Sequence, residues 1–142
     1  MEYADLEILL VEDNPFDAEL TIRSLKKNQI ANNVVHVNSG NKALDFLNAR
    51  GEYAGRDANN KPKVILLDLK LGGVSGVNVL EQIKADDHTM DIPVVVLTGS
   101  KENADLRRCY DLGANSYLIK PIEFGSFTKG ILIPLLDPKK NT

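Results

Sequence analysis

Five side chains able to do polar chemistry stand at the ends of apolar runs in this chain. Glu12 and Asp13 follow LEILLV (residues 6–11), Asp68 lies inside VILLDL (64–69), Thr98 follows IPVVVL (92–97) and Lys120 follows YLI (117–119). VILLDL, bounded by Pro62 before and by Gly72 and Gly73 after, has the continuous apolar pattern of a short strand buried on both faces of a parallel sheet. A carboxylate in such a strand is costly and calls for a reason. In an open α/β sheet the carboxyl ends of the strands share one edge, and ligands bind along it. The five residues are therefore expected to meet there, although more than a hundred positions separate Glu12 from Lys120.

Three crowded carboxylates, Glu12, Asp13 and Asp68, repel one another, and a hard cation with oxygen ligands relieves that repulsion. Magnesium, typically held by one or two carboxylates with waters and a phosphate, fits the set. Asp68 beside such a cation is placed to attack phosphorus as a nucleophile and become an aspartyl phosphate. The cation and the Lys120 ammonium would neutralise the oxygens of the transferring group, and Thr98 would donate its hydroxyl to one of them. Singly, each residue has a plainer reading as a helix cap, a strand-end hydroxyl or a solvated lysine. Their conjunction is what points to a site.

The elements that must position these residues alternate. After LEILLV, Asn14 and Pro15 are a cap and a first-turn proline, and the helix they open carries Ala18, Ile22 and Leu25 inward. Glu19 can pair with Arg23, Lys26 and Lys27 suit the last turn, and the helix should stop near Asn28. Val34 to Val37 reads as a second strand. Ser39 caps a helix with Ala43, Leu44 and Leu47 inward that Gly51 ends. The next twelve residues, GEYAGRDANNKP, are long and polar for a connection, and a solvated surface loop outranks a partner-binding feature. Past the Asp68 strand, Val77, Leu80 and Ile83 mark a helix to about Ala85. Ile92 to Leu97 is a fourth strand, with Pro93 near its start. Ala104, Leu106 and Cys109 or Tyr110 face inward on a helix closed by Gly113. Tyr117 to Ile119 is a fifth strand, and a last helix from Glu123 must kink or end at Pro134. This order predicts an α/β fold, a doubly wound five-stranded parallel sheet with right-handed crossovers.

Composition sets the outer limits. At 142 residues, with 43% hydrophobic and 26% charged residues, the chain matches one ordinary globular domain. A net charge of -3 and the lack of any basic stripe argue against a nucleic-acid partner. One cysteine, Cys109, cannot staple the fold. No apolar run approaches a membrane span and there is no signal peptide, so a cytoplasmic protein without a membrane partner is expected.

Four motifs in this order carry a family resemblance: VEDNP at 11–15, LLDLKLGGVSG at 66–76, VLTGS at 96–100 and DLGANSYLIKP at 111–121. The chain resembles the response regulator receiver domains of two-component signalling over residues 7 to about 133. The resemblance implies the flavodoxin-like strand order 2-1-3-4-5. It makes Asp68 the phosphoacceptor for a histidine of a sensor kinase, with magnesium as cofactor. It makes Asp13 a direct and Glu12 a water-mediated ligand, with the Lys70 carbonyl as a further protein ligand. Thr98 becomes the switch hydroxyl, Tyr117 the aromatic that turns inward with it, and Lys120 the phosphate-binding lysine, with a cis bond to Pro121. Lys70 and Ser100 fall where side chains tune the acylphosphate lifetime, and Gly99 leaves room for the phosphodonor. The long connection before the Asp68 strand, with the tail, resembles the single-domain subfamily that includes cyanobacterial phytochrome response regulators.

Two departures stand out. Gly72 replaces the usual proline, which suggests a more mobile loop, while Gly76 stands where the family has glycine. GILIPLL (130–136), with Phe124 and Phe127, is apolar beyond one helical stripe, so a homodimer or docking face outranks unusually deep packing. The face expected to serve is that of the fourth helix, fifth strand and last helix. His36 and His88 read as ordinary strand or surface residues away from the functional edge. With about twenty residues after Lys120, the expectation is one receiver domain over 1–142 with no output domain, a signalling switch rather than an enzyme. A relay intermediate passing its phosphoryl group to a histidine phosphotransfer protein is the alternative. An aspartate-nucleophile phosphohydrolase would want a second aspartate where Lys70 stands. A flavin or nucleotide binder would want a GxGxxG or P-loop motif, which is missing.

Overall fold

Runs of β-branched and aliphatic residues build the three inner strands of the sheet, β1 (Glu7–Val11), β3 (Val64–Asp68) and β4 (Val94–Thr98). The computed structural model describes residues 7–28, 33–73 and 75–122. Two outer strands, β2 (Asn33–Val37) and β5 (Ser116–Ile119), complete a five-stranded sheet of order β2-β1-β3-β4-β5. Every pairing is parallel, with Leu10 beside Leu66 and Asp68 beside Leu97. Four helices are described, α1 (Pro15–Lys27), α2 (Gly40–Leu47), α3 (Gly76–Ala85) and α4 (Asp105–Leu112). This is the doubly wound flavodoxin-like arrangement expected from the sequence.

Alternation along the strands splits the core in two. Leu9, Val11, Ile65, Leu67, Val94 and Val96 point to the face covered by α2, α3 and α4. Ile8, Leu10, Val64, Leu66, Val95 and Leu97 point the other way, where Ala18 and Leu25 of α1 meet them. Because β1, β3 and β4 are buried on both faces, they read as unbroken apolar runs. The helices start where cap chemistry dictates. Asn14 accepts from the Phe16 and Asp17 amides at 2.9 and 3.0 Å, Ser39 from Lys42 and Ser75 from Asn78. Gly113, at φ 109°, ends α4 in the left-handed region. The Glu19–Arg23 pair forms on α1 at 2.7 Å.

Several expectations are corrected. β4 begins at Val94, because Pro93 contributes only its carbonyl, to Ile65, and runs on to include Thr98. α2 stops at Leu47, before Gly51: the Asn48 side chain donates to the Leu44 carbonyl at 2.9 Å and Ala49 turns to φ 52°. Phe46, Thr21 and Val79 join the buried set, Leu44 and Ile22 are half-buried, Ala104, expected inward, is exposed just ahead of α4, and on α4 Cys109 packs inward while Tyr110 is exposed.

The long connection is a mostly exposed surface loop, as expected, and side chains anchor it to the fold. After a short 3-10 turn (Gly51–Tyr53), Tyr53 packs edge-on to Phe46 with centroids 5.2 Å apart. The Arg56 guanidinium lies 3.6 Å from the centroid of the Phe46 ring and bonds the Phe46 and Asn60 carbonyls. His88, read from sequence as incidental, donates Nε2–H to the Ala58 carbonyl at 2.8 Å and ties the connection to the end of α3. The expected last helix, with Phe124, Phe127 and GILIPLL, lies outside the described residues. No helix among the described residues is long and apolar enough to cross a membrane.

Candidate functional site

The parallel sheet brings the carboxyl ends of β1, β3, β4 and β5 to one edge, and the polar residues arrive with them. Glu12 prolongs β1, its amide donating to the Val37 carbonyl. Asp68 ends β3, Thr98 ends β4, and the Lys120 amide, just past β5, donates to the Thr98 carbonyl at 2.8 Å. Carboxylate oxygens of Glu12, Asp13 and Asp68 lie within 4.8 Å of one another. Glu12 is fully buried, Asp68 nearly so, and Asp13 faces solvent.

Lys120 is the counter-ion. Its Nζ lies 2.6 Å from Glu12 Oε1, 3.1 Å from Asp68 Oδ2 and 3.2 Å from Asp17 Oδ2. Burial, reinforced by the neighbouring Asp68 carboxylate, pushes the Glu12 carboxyl up to about 7 against the pull of Lys120. Burial disfavours the ammonium, but the bonds and charges of Glu12 and Asp68 outweigh it and hold Lys120 above the ordinary lysine range. One ammonium thus faces two of the three clustered carboxylates, Glu12 and Asp68, together with Asp17, and the cluster keeps negative charge that it does not offset. Three hard oxygen donors around uncompensated negative charge fit magnesium or manganese.

The backbone fixes the two aspartates. Lys70 N–H donates to Asp68 Oδ1 at 3.1 Å, and Gly72 N–H donates to Asp13 Oδ2 at 2.8 Å. The second bond gives Gly72 a role: proline there has no N–H to offer. The bond joins the loop to Asp13 at that point. A cleft of about 520 Å³ opens between Asp13, Asp17, Asp68, Lys70 and Lys120. The peptide bond from Lys120 to Pro121 is cis, as expected.

Thr98 stands at the edge and Tyr117 lies within β5, and among the described residues neither side chain is hydrogen-bonded to Asp68. The Thr98 hydroxyl donates to the Ser100 carbonyl at 3.2 Å and accepts from the Ser100 amide and Asn103 Nδ2. Tyr117 is half-buried and packs edge-on to Tyr110, centroids 6.2 Å apart. His36 is a correction: its Nε2–H donates to the Glu12 carbonyl at 2.8 Å, which puts it beside the functional edge. Sequence reasoning also passed over Asp17 and Asn103. An acid in the first turn reads as a dipole partner, and only the fold shows that Asp17 faces Lys120.

Residues 8–131 match the family model described as response regulator receiver domain. Among curated proteins, the probable methanogenesis regulatory protein FilR2 of Methanothrix harundinacea is 44% identical over 82% of this chain and 73% of its own length. The response regulator Rcp1 of Synechocystis is 40% identical over 80% of this chain and 75% of its own. Among solved structures, the bacteriophytochrome response regulator AtBRR is 51% identical, covers 89% of this chain and 90% of its own, and superposes with a TM-score of 0.81. The phosphorylated cyanobacterial phytochrome response regulator RcpA is 37% identical over 95% and 96% of the two chains, TM-score 0.78. The Mn(2+)-bound form of Rcp1 is 34% identical over 89% and 96%, TM-score 0.77.

Proposed function

The chain belongs to the response regulator receiver domain family, phosphorylation-dependent switches of two-component signalling, and from that premise we propose that Asp68 is its phosphoacceptor and a sensor histidine kinase its donor. One observation carries the reading: Glu12, Asp13 and Asp68 converge within 4.8 Å while Lys120 Nζ spans Glu12 and Asp68. Asp68 attacks the phosphorus of a phosphohistidine. A P–O bond forms as the P–N bond breaks, its electron pair returns to the ring nitrogen, and that nitrogen takes up a proton. Lys70 N–H orients the carboxylate through Oδ1. Lys120 meets the charge on the transferring oxygens, and Gly99, with open space where a Cβ would stand, leaves room for the donor.

Glu12, Asp13 and Asp68, with the Lys70 carbonyl, would hold magnesium, and the related response regulator Rcp1 has an Mn(2+)-bound form. When bound it supplies positive charge beside the phosphoryl oxygens. Thr98 leaves Ser100 and Asn103 for the phosphoryl group, Tyr117 follows inward, and the face of α4 and β5 changes its affinity for a partner or a second copy. The domain is a switch that catalyses its own phosphorylation and slow dephosphorylation and no other reaction. A cytoplasmic setting suits its buried, unpaired Cys109. Onward transfer to a histidine phosphotransfer protein would use the same Asp68, and a transfer assay separates relay from terminal switch.

The test is the mass of the protein after incubation with acetyl phosphate and magnesium. The expected result is one added phosphoryl group that requires magnesium and is lost in Asp68→Asn. No adduct, together with no beryllofluoride binding by the folded wild type, would overturn the phosphoacceptor role.

A further inference from the structure

We infer that Asp17 is a positioning residue: its carboxylate tethers Lys120 at the mouth of the cleft when a divalent cation occupies Glu12, Asp13 and Asp68. The inference rests on the reading of that cluster as a cation site. Lys120 offers three N–H donors, and among the described residues three carboxylates receive them, those of Glu12, Asp68 and Asp17. The first two belong to the carboxylate cluster. Two cations cannot share the same pair of carboxylates without repelling each other across a few ångströms. A divalent ion in the cluster therefore weakens the hold of Glu12 and Asp68 on the ammonium. Asp17 alone of the three stands outside the cluster, and its bond to Lys120 survives.

The geometry suits a tether. Asp17 lies in the first turn of α1, and the Asn14 cap accepts its amide at 3.0 Å, so the backbone beneath it is fixed. It borders the main cleft and also an adjacent cavity of about 410 Å³ that Lys120, Pro121 and Leu20 line. Without Asp17 the long lysine chain is free to swing toward solvent. With it the ammonium waits within reach of Asp68 Oδ2, where the phosphoryl oxygens arrive.

Two measurements test this on the full chain. In magnesium-loaded protein with 13C-labelled lysine, the Lys120 ε-methylene signal should stay at its ordered position in the wild type and in Asp17→Glu. It should move to that of a solvated lysine in Asp17→Asn. The rate of phosphorylation by acetyl phosphate at saturating magnesium should fall about threefold to fivefold in Asp17→Asn, as expected for one half-exposed ion pair. The magnesium concentration giving half the rate should hardly change, a split that general loosening of the fold would not produce. An ordered Lys120 signal in magnesium-loaded Asp17→Asn overturns the tether whatever the rates. If the wild type takes no phosphoryl group while its Lys120 signal depends on Asp17, the phosphoacceptor reading fails and the tether stands.

Discussion

Glu12 is the residue on which burial and the neighbouring Asp68 carboxylate act most sharply. It is fully buried, it touches Lys120 at 2.6 Å, and its carboxyl is nonetheless pushed up from an ordinary 4.5 to about 7. Between those values the folded protein holds a proton there that the unfolded chain has lost, so stability falls as pH rises through the window. The size is on the order of 3 kcal/mol when the whole shift is counted. Thermal melts in chelator from pH 5 to 8 should therefore show a declining midpoint, flattened in Glu12→Gln, which keeps the shape and cannot ionise. Saturating magnesium should flatten the decline too, because a bound cation favours the carboxylate form. An equal slope in wild type and Glu12→Gln would remove Glu12 as its source. Lys120 cannot mimic the effect, since its own pKa is shifted upward and its contribution is lost only in the alkaline range.

At the level of elements, the site depends on how closely α3 approaches β3. A Cβ on Gly76, the first residue of α3, would stand 2.5 Å from the Asp68 carbonyl oxygen and 2.7 Å from Leu69 Cα. Both are backbone atoms, so Gly76→Ala must push the helix away from the end of the strand. Denaturant unfolding should show a loss of about 1–3 kcal/mol. Gly99, just past β4, is the control: a Cβ there meets nothing within 4 Å. Gly99→Ala should leave stability within about 0.5 kcal/mol of wild type. A neutral Gly76→Ala would contradict the close approach.

Over the whole molecule, the strand order sets a gradient of protection. β1, β3 and β4 are paired on both sides and buried on both faces, whereas β2 and β5 have one partner each and are part exposed. Amide exchange should be slowest in the three inner strands and faster in the two outer ones. Uniform protection across all five would mean the sheet opens only as a unit. The functional residues follow from the same gradient. Asp68 and Thr98 end inner strands and Glu12 follows one, while Lys120 follows an outer strand.

How much of this was legible in the sequence depends on the range of the interaction. Unbroken apolar runs mark doubly buried strands, Asn14-Pro15 and Ser39 mark helix starts, and Gly113 marks a stop; these are local rules, and they yielded the alternating elements and the sheet. A parallel sheet has one carboxyl edge, so the convergence of Glu12, Asp13, Asp68, Thr98 and Lys120 followed from topology and needed no side-chain detail. The tertiary structure decided what depends on neighbours remote in the chain. Asp17 reads as a dipole partner until Lys120, 3.2 Å away, is seen beside it. Gly72 reads as a departure from the usual proline until its amide meets Asp13, and His36 and His88 read as incidental until their rings reach the carbonyls of Glu12 and Ala58. Single bonds between distant segments leave no periodic trace along a chain, and only the packed fold reveals them.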